Sequence, residues 1–425
     1  MSVDVLRGRS AGVALVAVSA AWGVFWGVWG GLLPAVQDRI GGTLGELGLA
    51  LVAIPVGAIP AMVCTGRVAR GRERVVLGAS VVAFAAAIVG LAVPVSAAGL
   101  GVALAVVGMT SGALDVCLNM TVARAERVTG RRLFQPVHAA FPVAVVVSAP
   151  LAGMARQAGA GPAAILLATA LMVGMIGVGA VLRLPAAVGD DPAGTARQEA
   201  ARQDAARQEA ARQEAARQEA ARQGGPRQGG ARRGRARPGG GTTGTAASWW
   251  GIGILGGCLL IVENGVEQWS AVLLEDFRDA PPVVASSAPA VYYLALTAGR
   301  LIAQARPGIP LRRVVSLGAA VGGLAIALAA LVPAATPALI FFGLTGLAFG
   351  PVVPAMLGYA GRLDTDGTLV ARVTTVSYAG FVVSPLLVSA LHRWLTLPAA
   401  LACLGLLTAP LLAAATLTGR TRRAG

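Results

Sequence analysis

The chain has 425 residues, 56% hydrophobic and 13% charged, with a mean hydropathy of +0.70 and a formal net charge of +15 carried entirely on arginine. Hydropathy that high excludes an ordinary soluble domain. Apolar runs of about 20 residues recur, each long enough to cross a hydrocarbon core of about 30 Å, and their unbroken apolarity fits helices, not the shorter alternating strands of a barrel.

The first run, 12–35, lacks a small-residue cleavage site after a short apolar core and reads as a retained helix. It carries Trp22, Trp26 and Trp29 at i, i+4 and i+7, a stripe that lines a cavity or anchors at a membrane surface. Further runs follow at 44–66, 75–93, 97–121, 135–155 and 161–184. The fourth stops being apolar in one place, where Ser111, Asp115 and Asn119 recur every four residues and form one polar stripe. Asp115 stands about 13 Å before the basic loop that begins at Arg124, near mid-membrane, where an aspartate costs about 2.5–3.5 kcal/mol. A carboxylate placed there faces a cavity or a partner, and it can take up and release a proton. His138, at the start of the fifth helix, is placed to pair with Asp115 or Glu126, to shuttle protons, or to make a structural hydrogen bond.

Between the halves, residues 196–223 repeat Ala-Arg-Gln-Glu-Ala, with each acidic residue three positions before an arginine. A five-residue period advances about 140° per repeat, so no apolar seam forms and a solvated single helix is predicted, joined to a Gly/Arg-rich tether. The segment is a spacer, or an arm for a partner or for lipid headgroups. Beyond it come runs at 248–273, 284–305, 314–333, 336–360, 369–391 and 396–417, making about twelve helices. The seventh brings "ENGVEQWS", with Glu263, Asn264, Glu267 and Gln268, and with Trp269 as an interface anchor or a stacking face for a solute.

Arginines cluster in alternate loops, at Arg67, Arg70 and Arg74, around Arg124 to Arg132, and at Arg306 to Arg313, which puts both termini in the cytoplasm. Positive charge is thus a topology signal, and nucleic acid is not expected as a partner. Six runs, a linker and six runs predict an all-α integral membrane protein of two pseudo-symmetric halves: residues 1–184, a cytoplasmic linker 185–247, and residues 248–425. Cys64, Cys117, Cys258 and Cys403 have no metal-like spacing and read as packing residues. No nucleotide loop, metal cluster or nucleophile–base arrangement stands out, so neither an enzyme nor a cofactor is expected.

Several stretches resemble the major facilitator superfamily, in particular its fucose-permease-like branch: "GLLPAVQDRIGGTLGELGLALVAIPVGAI", "GALDVCLNMTVARAERVTGRRLFQPVHAAF", "ENGVEQWSAVLLEDF", "GLAFGPVVPAMLGYAGR" and "VSYAGFVVSPLL". The resemblance implies the major facilitator fold and a proton-coupled, monomeric transporter of a small, sugar-like molecule in the cytoplasmic membrane, with Glu263 as the second-half counterpart of Asp115. An exporter of an amphipathic compound, or a non-transporting sensor, are the alternatives. In the gating loop the family's Gly-Arg pattern is kept at Gly66, Arg67, Arg70 and Arg74. Arg70 falls near the family's aspartate and Glu73 is out of register, so the gate is either weakly latched or held by another contact.

Overall fold

The computed structural model describes residues 3–185, 243–306, 308–363 and 368–420, with scattered positions between 204 and 218. The first six helices are α1 (Val3–Ile40), α2 (Leu44–Val68), α3 (Glu73–Leu91), α4 (Ala97–Thr129), α5 (Phe134–Gln157) and α6 (Pro162–Leu182). The later ones are α7 (Thr243–Arg278), α8 (Pro282–Gln304), α9 (Leu311–Leu331), α10 (Ala335–Phe349), α11 (Val352–Leu363), α12 (Thr368–His392), α13 (Leu397–Leu404) and α14 (Ala409–Arg420). Most of the repeat linker lies outside the described residues; Asp204 and Arg207 within it stand 4.0 Å apart on an exposed helical stretch.

Local chemistry sets these boundaries. Thr43 opens α2 with a reciprocal cap: its hydroxyl accepts from Glu46 N at 3.2 Å, and its own N–H donates to Glu46 Oε2 at 2.8 Å. Gly130 closes α4 at φ 67°, a conformation glycine adopts without strain. The predicted span 336–360 is one membrane-length path divided at Gly350–Pro351 into α10 and α11, because Pro351 has no N–H to continue the ladder.

Among the described residues, eleven spans are long and apolar enough to cross a membrane. The remaining helix of the expected twelve, α8, is continuous over 23 residues but carries Ser286, Ser287, Tyr292, Tyr293 and Arg300. Large apolar side chains such as Val102, Leu171, Leu324 and Ile340 are exposed on the outside of the bundle, where lipid would cover them. Cys117 is fully buried, as expected of a packing residue, whereas Cys64 is exposed on that outer surface.

The pairings α1–α5 and α2–α4 among the first six helices recur as α7–α12 and α8–α10 among the later ones. Small residues bring these backbones together. A Cβ on Gly108 of α4 would stand 2.0 Å from the carbonyl oxygen of Ile54 on α2, and one on Gly346 of α10 would stand 2.3 Å from that of Tyr292 on α8. Contacts between the two sets of helices run through α5–α8, α2–α12 and α1–α7.

Candidate functional site

Between the two sets of helices lies a cavity of about 280 Å³, room for roughly nine waters. Two carboxylates and several polar side chains converge on it. Larger grooves of about 540 and 630 Å³ are surface features lined by residues such as Val13, Leu171 and Met175, and suit lipid chains.

The tryptophan stripe of α1 faces this cavity: Trp22, Trp26 and Trp29 all line it, as their helical spacing allows. Trp22 Nε1 donates to Ser111 Oγ at 2.9 Å, which ties α1 to the polar stripe of α4. Ser111 and Asp115 line the wall one turn apart. Asn119, one turn further, is not a lining residue. It donates Nδ2 to Asp115 Oδ1 at 2.7 Å and to the Asp115 carbonyl at 3.0 Å, so it fixes the orientation of the carboxylate.

From α7, Asn264, Glu267 and Gln268 line the opposite wall. Asn264 and Gln268 are each 6% exposed, and Asn264 Oδ1 and Gln268 Oε1 have no hydrogen-bond partner among the described residues. The Tyr293 hydroxyl lies beside the Glu267 carboxylate. Glu263 is not among the lining residues; the charge of Arg300 on α8 acts on it, and Tyr292 lies within its field.

Trp269 departs from both roles read for it. One residue past Gln268 it is turned about 100° from the cavity, is 1% exposed, and packs against α2 at Gly48, so it neither stacks on a solute nor sits at a free surface. His138 is exposed, and its Nδ1 is 3.0 Å from the carbonyl of Phe134, one turn back in α5. Its charge reaches Asp115, but it does not pair with Glu126. Glu126 instead accepts from Leu133 N and, at 3.0 Å, from Phe134 N, capping α5. Glu126→Ala should therefore speed amide hydrogen exchange at Leu133 and Phe134 while the middle of α5 stays protected.

In the gating loop, Gly66 ends the apolar part of α2 and Arg67 and Arg70 are exposed, while Arg74 donates to the Leu182 carbonyl at 3.2 Å and ties α3 to α6. The out-of-register Glu73 is the carboxylate that matters: it is 6% exposed, accepts from Gly71 N at 3.2 Å and stands 3.5 Å from Arg124 on α4. Glu73 thus has its charged partner within the first set of helices, between α3 and α4. Arg124 is accordingly 9% exposed and not a surface marker of the helix end.

Three features of the site have no counterpart in the sequence reading. Phe141, Tyr293, Tyr378 and Phe381 complete the aromatic wall, with the Trp22 and Phe141 rings 4.7 Å apart. The chain has four tyrosines, and Tyr292, Tyr293 and Tyr378 all lie within the field of Glu263; their scarcity was the available signal. At the bundle end where α5 and α7 finish, Arg156 forms a two-pronged pair with Glu275, at 2.7 Å on its Nη1 side, and also donates to the Gly31 carbonyl at 3.0 Å. Ser286 of α8 donates to that same carbonyl at 3.1 Å, so this end is closed by side chains from both sets of helices.

No family model matches the chain. It is 25% identical over 395 residues, 91% of its length and 90% of the other's, to an uncharacterised MFS-type transporter of Yersinia pestis. A shorter match, 27% over 128 residues, covers 30% of this chain and 34% of an uncharacterised transporter of Sinorhizobium fredii. Its backbone is similar to that of the nucleoside transporter NupG, with a TM-score of 0.71 at 12% identity over 96% of this chain and 98% of that one. The chain has the major facilitator fold. Its membrane-length helices fit that fold, and the relative that matches it over nine-tenths of its length is an MFS-type transporter. The same fold is seen in a peptide transporter, POT (TM-score 0.69, 15% identity, 99% of each chain). It is seen again in an inward-facing bacterial homologue of the lysosomal transporter Spinster (TM-score 0.65, 13% identity, 96% of this chain and 94% of that one).

Proposed function

We propose that the protein is a proton-coupled membrane transporter that moves a small polar solute, sugar-like in size and hydrogen bonding, by alternating access. Its two halves, 1–184 and 248–425, rock about the central cavity, and the linker 185–247 spaces them. Both termini lie in the cytoplasm, by the arginine distribution, and the chain works as a monomer in the cell membrane. The observation that carries this reading is that Asp115 from α4 and Glu267 from α7 line one cavity between the two sets of helices. Two carboxylates inside a membrane are costly unless something binds there and leaves again. Glu263, held in the field of Arg300, supports the α7 side, and Asn119 supports Asp115.

The proportion of aromatic and aliphatic lining favours a second reading for the solute, an amphipathic compound moved outward. Uptake of labelled solutes into proteoliposomes under an imposed proton gradient tests the proposal. Wild type and a variant lacking residues 196–240 should accumulate solute, and Asp115→Asn should not. Loss on linker deletion with Asp115→Asn unaffected would instead favour a sensor acting through the linker.

A further inference from the structure

We infer that the solute carries a positive charge: the cavity is built for a small organic cation, an ammonium-bearing molecule seated against aromatic faces with Asp115 and Glu267 as counter-ions. This rests on the transport reading and narrows its solute class.

The sign of the site's charge is the first support. In a chain with 35 basic residues and a net charge of +15, the cavity wall holds two carboxylates and no Arg or His. Arg300 lies within the field of Glu263 and donates to the Gly350 carbonyl at 3.3 Å, and His138 is exposed and bonded within its own helix. An anionic solute would be repelled by the two carboxylates of the wall, with His138 and Arg300 acting only from outside it, whereas a cation would neutralise the wall.

The second support is the surface offered to that charge. Seven aromatic side chains line the cavity of a chain in which aromatics make up 5% of residues. Trp and Tyr faces attract cations, most strongly where water is excluded. The third support is the unpartnered carbonyl oxygens of Asn264 and Gln268, both on the wall and both more than nine-tenths buried. They are acceptors awaiting a donor, and an ammonium group donates without offering an acceptor in return. At about 280 Å³ the space suits a single small head group and not an extended drug.

A bound cation and a bound proton compete for the same carboxylate, so loading the site with one releases the other.

The test is intrinsic tryptophan fluorescence of the purified full chain at pH 7, titrated with matched charged and neutral probes: glucosamine against glucose, and choline against 3,3-dimethylbutan-1-ol. Three reporters, Trp22, Trp26 and Trp29, line the cavity. The charged member of each pair should bind about tenfold tighter or better, and Asp115→Asn or Glu267→Gln should remove most of that preference. The wild-type comparison needs no variant, so a misfolded mutant does not spoil it. Equal affinity for charged and neutral members, or no quenching by any charged member, overturns the inference. The transport reading is decided separately by solute uptake, and survives if glucose binds as well as glucosamine.

Discussion

Arg156→Ala should move the resting population away from the state seen here, by roughly a hundredfold or more. Arg156 and Glu275 are 8% and 19% exposed, so the pair is largely out of water. Stripping one partner from a buried pair costs about 3–5 kcal/mol, because the remaining charge is left without compensation. Here the penalty is compounded, since Asp276 lies within the fields of Asp38 and Glu275 as well as of that guanidinium. Opening this end hydrates the carboxylates and relieves the repulsion. Spin labels at Ala158→Cys and Ala334→Cys, near the same end, should report longer distances in Arg156→Ala. The exchange Arg156→Glu with Glu275→Arg should bring back most of the short distance. An unchanged distribution in Arg156→Ala would show that the pair does not hold this end shut.

Gly108→Val should prevent α2 and α4 from packing and abolish both folding yield and transport. A Cβ at that position would lie 2.0 Å from the Ile54 carbonyl oxygen and 2.9 Å from its Cα, atoms that have no rotamer to yield. Overpacking costs about 1–3 kcal/mol when side chains can give way and more when backbone must move. The same helix carries Ser111 and Asp115 one and two turns on, so any shift also misplaces the polar wall. Gly90→Ala is the control, because nothing lies within 4 Å of a Cβ there. The monodisperse fraction in detergent should collapse for Gly108→Val and hold for Gly90→Ala.

These two effects show which parts of the molecule were legible in sequence. Helix number, positions and the polar stripe from Ser111 to Asn119 follow from hydropathy and a 3.6-residue period, and they appear where the pattern puts them. The tryptophan stripe was ambiguous, since spacing says that three rings share a face and not what that face meets. Trp269 and Gln268 show the same gap from the other side: one residue of rotation separates a cavity wall from a helix interface. Arg156 and Glu275 are 119 positions apart, and each taken alone was an ordinary charge near a helix end. Nothing local to either residue announces the other. Glu73 is out of register against the family pattern, yet from the first turn of α3 its carboxylate reaches Arg124 on α4.

The most direct measurement of the central claim is internal pH in proteoliposomes holding wild type or Asp115→Asn as solutes are added. The account predicts a solute-dependent proton flux in the wild type that disappears in Asp115→Asn, while both proteins remain monodisperse. Equal flux in the two proteins would remove Asp115 from the coupling mechanism and contradict the account.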